Sequence, residues 1–90
     1  MLDFDFIDWD DDDDPAGNVW HIASAGLTPD EVEEVLRSPN PDTSMSRVSG
    51  RPAVFGLTGT GKYIIVVYDV TDEGGVRVIR PRTAYEVSPP

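Results

Sequence analysis

Cysteine is absent from this sequence of 90 residues, histidine occurs once, and basic residues are scarce, seven against seventeen acids. Without cysteine the chain can form neither disulfides nor thiolate metal centres, which suits a reducing compartment. No apolar run approaches the length of a membrane span, and the N-terminus lacks the basic-then-apolar layout of a secretory signal. The expectation is a cytoplasmic chain with no membrane partner. Ninety residues suffice for one small domain, residues 1–90, near the size at which a single core holds without covalent staples. The formal net charge of −10 and pI near 4.1 argue, taken as a sum, against nucleic acid as a partner.

The distribution of charge qualifies that sum. Thirteen of the seventeen acids fall in residues 1–42, where Arg37 is the only base. From Thr43 onward six bases (Arg47, Arg51, Lys62, Arg77, Arg80 and Arg82) face four acids. The front half opens on DFDFIDWDDDDDP, residues 3–15. Leu2, Phe4 and Phe6 alternate with Asp3 and Asp5, which predicts a half-buried edge strand with the phenylalanines inward and the aspartates solvated. Charge on such an edge discourages pairing between molecules. The run that follows, with Pro15-Ala16-Gly17, predicts an acidic turn at 10–15. Five consecutive carboxylates point in different directions and lack the alternate spacing and turn glycine of a calcium loop, so no metal site is expected. Asp10, Asp11, Asp12, Asp13 and Asp14 would instead repel RNA from their side and attract a basic protein partner.

Asn18 is placed to cap a short helix reaching about Ala25, with Val19, Ile22 and Ala23 on one face and Gly26 ending it. Thr28, Pro29 and Glu31 form a capping box for a second helix. Val32, Val35 and Leu36 supply its buried stripe, and it ends by Ser38, before Pro39 and Pro41. The pattern then turns to strands. RPAVFGLT and KYIIVVYDV flank a Gly59-Thr60-Gly61 hairpin, and VRVIRP follows a turn at Asp72-Glu73-Gly74-Gly75. Both faces of YIIVVY are apolar, which predicts a central strand covered on each side. The fold class is thus α+β: an N-terminal strand, two short helices, then an antiparallel β-meander of three to four strands with the helices packed on one face.

GLTGTGKY, residues 56–63, nearly spells a phosphate-binding loop, but Tyr63 replaces the magnesium-holding hydroxyl and the next segment is a strand rather than a helix. It reads as a hairpin, and no nucleotide or other cofactor is expected. His21, the single histidine, is either a proton-transfer group or ordinary filler of a short helix. Arg51 opens one strand, while Arg77, Arg80 and Arg82 lie on or just past another. Guanidinium groups projecting from a sheet suit a phosphodiester and charge on a pentavalent phosphate, although arginine also serves solvated strand faces. Tyr63, Tyr68 and Tyr85 are nearby groups able to stack or hydrogen bond, which keeps RNA open as a partner.

The order of these pieces resembles the BrnT-like toxins, small ribonucleases of the RelE-type fold. The resemblance runs through Trp9-Asp10 at the end of the first strand, Gly26-Leu27 closing the first helix, and the acidic first turn of the second helix. It continues through Arg51 and FGL, Gly61-Lys62 in the hairpin, the aliphatic run ending at Tyr68, and RVIRPRTA from Arg77 to Ala84. Ser24-Ala25 stand where the family usually carries Lys-His. The resemblance implies the toxin of a type II toxin–antitoxin system, neutralised by a cognate DNA-binding antitoxin. It also implies metal-independent RNA cleavage by in-line attack of the 2′-hydroxyl. By position, Arg51, Arg77 and Arg82 would bind or activate the scissile phosphate, with His21 or a tyrosine transferring the proton. Lys62, Arg80 and Tyr85 would contact RNA. The other reading of the same residues is a non-catalytic relative whose acidic N-terminal half docks on a basic partner.

Overall fold

The YIIVVY run carries branched apolar residues on both faces, and the sheet is built outward from it. The computed structural model describes residues 2–46 and 49–90, so Arg47 lies outside the described residues. In chain order the elements are β1 (Phe6–Ile7), α1 (Asn18–Ala23), α2 (Pro29–Leu36), β2 (Asp42–Met45), β3 (Pro52–Leu57), β4 (Tyr63–Glu73) and β5 (Val76–Glu86). The sheet order β1-β5-β4-β3-β2 makes β4 central. Strands β2 to β5 pair antiparallel as a meander, and β1 joins the outer edge of β5 in parallel. The architecture is α+β, a five-stranded mixed sheet with two short helices.

Alternation along β4 divides the core. Ile64, Val66 and Tyr68 pack with Val54, Ile79 and Ala84 against Ile22, Leu27, Val32, Val35 and Leu36 from the helical layer. Burial pushes the Tyr68 phenol above its ordinary pKa. Ile65 and Val67 face the opposite way and cluster with Ala53, covered by Phe55 and Val87 rather than by a helix. The central strand is therefore dry on both faces, as its composition requires.

Helix α2 forms as its sequence dictates. The Glu31 N–H donates to Thr28 Oγ1 at 3.3 Å, while the Thr28 N–H donates to Glu31 Oε1 at 3.0 Å. Glu31 also accepts from the Thr60 hydroxyl and lies 3.1 Å from Lys62 Nζ, so one buried carboxylate ties the helix start to the β3–β4 hairpin. The Thr60 hydrogen bond, with help from Lys62 and the Thr28 N–H against the cost of burial, holds Glu31 down at about 2. The Gly74-Gly75 turn, with φ of 58° and 82°, lets β4 and β5 run to eleven residues each, further than their apolar patterns alone suggested.

Three expectations at the front of the chain need correction. Phe6 points outward, 61% exposed, and does not pack inward. A bend at Asp5 changes the phase, so Leu2 and Phe4 face the core before it, and Ile7 and Trp9 face the core after it. Arg37 sits over the Phe4 ring at 5.3 Å. Asn18, for its part, is not the cap of α1 but its first residue; Gly17 holds the cap position with no side-chain cap of its own. The Asn18 N–H instead donates to Asp10 Oδ2 at 2.9 Å, so a distant carboxylate does the capping. Ala23, expected on the buried face, is exposed because the face α1 turns inward is that of Asn18 and Ile22.

Candidate functional site

Strand β5 bends where its register with β4 slips. Val67 pairs with Thr83 and Tyr68 with Pro81, which leaves Arg82 as the extra residue of a bulge. Proline tolerates such a position because it has no ladder N–H to lose. The bulge brings Arg80, Arg82 and Thr83 round to one place. Past Ile79 the outer edge of β5 is no longer paired with β1, and α1 takes over there. Asn18 Nδ2 donates to the carbonyls of Asp8 and Pro81, each at 3.0 Å, and Asn18 Oδ1 accepts the Asp10 N–H at 2.9 Å. This buried amide joins the end of β1, the start of α1 and the bulge.

A cavity of about 360 Å³ opens at that junction, lined in part by His21, Arg51, Arg80, Arg82 and Thr83. Three segments supply these groups: α1 gives His21, the residue before β3 gives Arg51, and the bulged strand gives the rest. His21 Nε2 lies 3.1 Å from the Thr83 hydroxyl, which fixes the ring against β5. Asp69, on β4 between the two neighbouring strands, accepts from Arg51 Nε at 2.8 Å and lies 3.5 Å from Arg82 Nε. Both contacts use the inner edge of a guanidinium, and among the described residues no side-chain acceptor takes the terminal amino groups of either. Arg80 is held differently, by a two-pronged pair with Asp10 at 2.8 and 3.1 Å and by Asp8 at 3.3 Å. The Arg80 hydrogen bond, with the Asn18 N–H, lowers the Asp10 carboxyl below its usual range, and Asp10 with Asp8 raises Arg80 above its own.

The residues singled out in the sequence thus divide into two groups. His21, Arg51, Arg80 and Arg82 meet at one cavity, and Tyr85 lines a second one of about 270 Å³ that adjoins it through Arg51, Arg82 and Thr83. Arg77 lies elsewhere, between Asp3 at 3.1 Å and Asp72 at 3.5 Å. Lys62 donates to the Gly26 carbonyl at 2.9 Å and pairs with Glu31, at the helix–hairpin junction. Asp10 turns inward on Arg80 and Asn18, which leaves Asp11 to Asp14 exposed. Among the described residues no three acidic or histidine side chains converge to hold a metal ion, and no helix is long and apolar enough to cross a membrane.

Sequence reasoning gave no site role to Asp69 or Thr83 and read Asn18 only as a helix cap. Asp69 carried a usable signal: it directly follows the buried YIIVVY run, and pairing that run with the arginine-bearing strand sets it among arginines. Asn18 gave none, since a residue that caps a helix and one that bridges three segments look alike in sequence. Compared with known proteins, the chain matches no protein-family model and no curated protein.

Proposed function

We propose that this chain is the toxin of a type II toxin–antitoxin pair, an RNA-cleaving, metal-independent endoribonuclease of BrnT type with the RelE-type arrangement. It acts on cytoplasmic RNA and is neutralised by a cognate DNA-binding antitoxin. The observation that carries the reading is the meeting of His21, Arg51, Arg80 and Arg82 at one cavity. A phosphodiester seated there is within the field of three guanidiniums, the groups best suited to a phosphate and to the extra charge of its pentavalent state. The 2′-oxygen attacks phosphorus as its proton leaves, the bond to the 5′-oxygen breaks, and that oxygen is protonated. The products are a 2′,3′-cyclic phosphate and a 5′-hydroxyl. His21 is the imidazole on the cavity wall, and the proposal gives it the proton transfer. Asp69 and Asp10 hold the arginines in place before RNA arrives.

A second reading has its own support. Every arginine at the cavity already has an aspartate partner, and Asp11 to Asp14 stay in solvent. On that reading the chain is a non-catalytic binding module whose acidic front docks on a basic protein. Induced expression of wild type beside Arg82→Ala, with growth and RNA integrity followed, separates the two. The ribonuclease reading expects arrest and RNA loss, both relieved by the substitution at equal soluble protein. Normal growth with intact RNA and abundant folded wild type would refute it in favour of the module.

A further inference from the structure

The cavity lined by Tyr85 has no role in the chemistry above. Its walls are Ser46, Ser49, Val67 and Tyr85, and it shares Arg51, Arg82 and Thr83 with the phosphate cavity. The two spaces are therefore neighbours across the Arg51–Asp69–Arg82 bridge. Val67, only 5% exposed, gives the smaller one an apolar wall. The Tyr85 ring stays 45% exposed although its strand neighbour Ala84 is buried. Ser46 and Ser49 lie between β2 and β3. Ser46 Oγ accepts the Ser49 N–H at 3.4 Å, and Ser49 Oγ accepts the Arg51 N–H at 3.3 Å. Each hydroxyl uses a lone pair in this way, and among the described residues neither O–H is donated.

The geometry points to a nucleobase subsite: this cavity takes the unpaired base of a nucleotide whose phosphate lies in the neighbouring arginine cavity. An aromatic face, an apolar wall and two hydroxyl donors are what a flat heterocycle with acceptors on its edge requires. A base whose edge faces Ser46 and Ser49 cannot be paired to a second strand, so the substrate is single-stranded RNA. The inference rests on the reading of the arginine cavity as a phosphate site, and the test keeps the two apart.

The probes are uridine 3′-monophosphate and the methyl riboside 3-phosphate that lacks a base, titrated into the isotope-labelled full chain and followed by amide shifts. The base is expected to improve affinity about tenfold. Tyr85→Ala should erase that gain while leaving the base-free probe within about twofold, and Tyr85→Phe should retain most of it. Equal affinity of the two probes for wild type, or a Tyr85→Ala loss shared equally by both, would overturn the subsite while leaving the phosphate site standing. Failure of both probes to bind folded wild type would overturn the phosphate site, and the base subsite with it.

Discussion

Glu31→Gln removes one charge from the junction of α2 and the β3–β4 hairpin while keeping the shape of the side chain and an oxygen for the capping box. The carboxylate is buried, accepts from Thr60 and Thr28, and pairs with Lys62 at 3.1 Å. Its pKa falls from 4.5 to about 2 on folding. A shift of that size corresponds to about 3 kcal/mol of stability at neutral pH. Lys62 is a third exposed, so solvent screens the pair, and about 1–2 kcal/mol is the appropriate figure. The folded pKa is depressed, so this stability is fully present above the unfolded value of 4.5 and is lost as pH falls toward 2. Urea unfolding of both proteins, repeated from pH 7 to pH 2, reads the difference directly. The other carboxylates titrate alike in both chains and cancel. Glu31→Gln should be less stable by about 1–2 kcal/mol at pH 7, with roughly half or more of that gap gone by pH 3. A gap that stays constant with pH, or none at pH 7, would refute the assignment of the stability to the charge.

The joint at Asn18 is the next place to press. Asn18→Ala strips one acceptor and two donor contacts from the junction of β1, α1 and β5, and leaves the Pro81 carbonyl without its amide partner. It should cost about 2–3 kcal/mol and lower the Tm by roughly 10 °C, read by thermal unfolding; a change under about 2 °C would contradict the bridging role. Gly17→Ala tests crowding at the N-cap of α1, where alanine is also a poorer cap than glycine. The backbone there, φ −83° and ψ 168°, suits any residue, yet a Cβ would fall 2.6 Å from Asp10 Cβ. The main chain must shift, which should cost about 1–2 kcal/mol in chemical denaturation. An unchanged midpoint would show that the loop yields freely.

Much of the fold was legible because local chemistry and burial agreed. The Thr28–Glu31 box, the glycine turns and the two-faced YIIVVY run each say in sequence what they do in the structure. Phe6 was misread because strict alternation assumes a straight strand, and the bend at Asp5 is not encoded in hydropathy. The site was legible in kind but not in membership. Arg80 and Arg82 sit two apart, as alternation demands for one face, but Thr83 joins them only through the bulge at Arg82. Arg77 shares their strand and their chemistry, yet it pairs with Asp3 and Asp72 because it lies beyond the bulge on the arm of β5 that β1 covers. No pattern in residues 77–84 alone separates these two fates; the register against β4 does.

The acidic run and the arginine cavity are also closer than the sequence implies. Asp10 holds Arg80, and the chain from Asp11 to Asp14 returns through Pro15 to Ala16 and Gly17, which line the cavity. The exposed carboxylates therefore belong to the segment that leads directly into the cavity lining. On the proposed function, RNA reaching the arginines passes a repulsive border, so the guanidiniums must attract at short range what the whole molecule repels at long range. On the same proposal, a basic protein drawn to Asp11 to Asp14 would meet no such conflict, and it would dock beside the segment that lines the cavity. The feature that speaks most strongly against nucleic acid in the composition is thus well placed for the antitoxin of the same proposal. On that proposal, recruitment of the inhibitor and hindrance of the site would share one segment, residues 10–17, without any separate channel of communication between them.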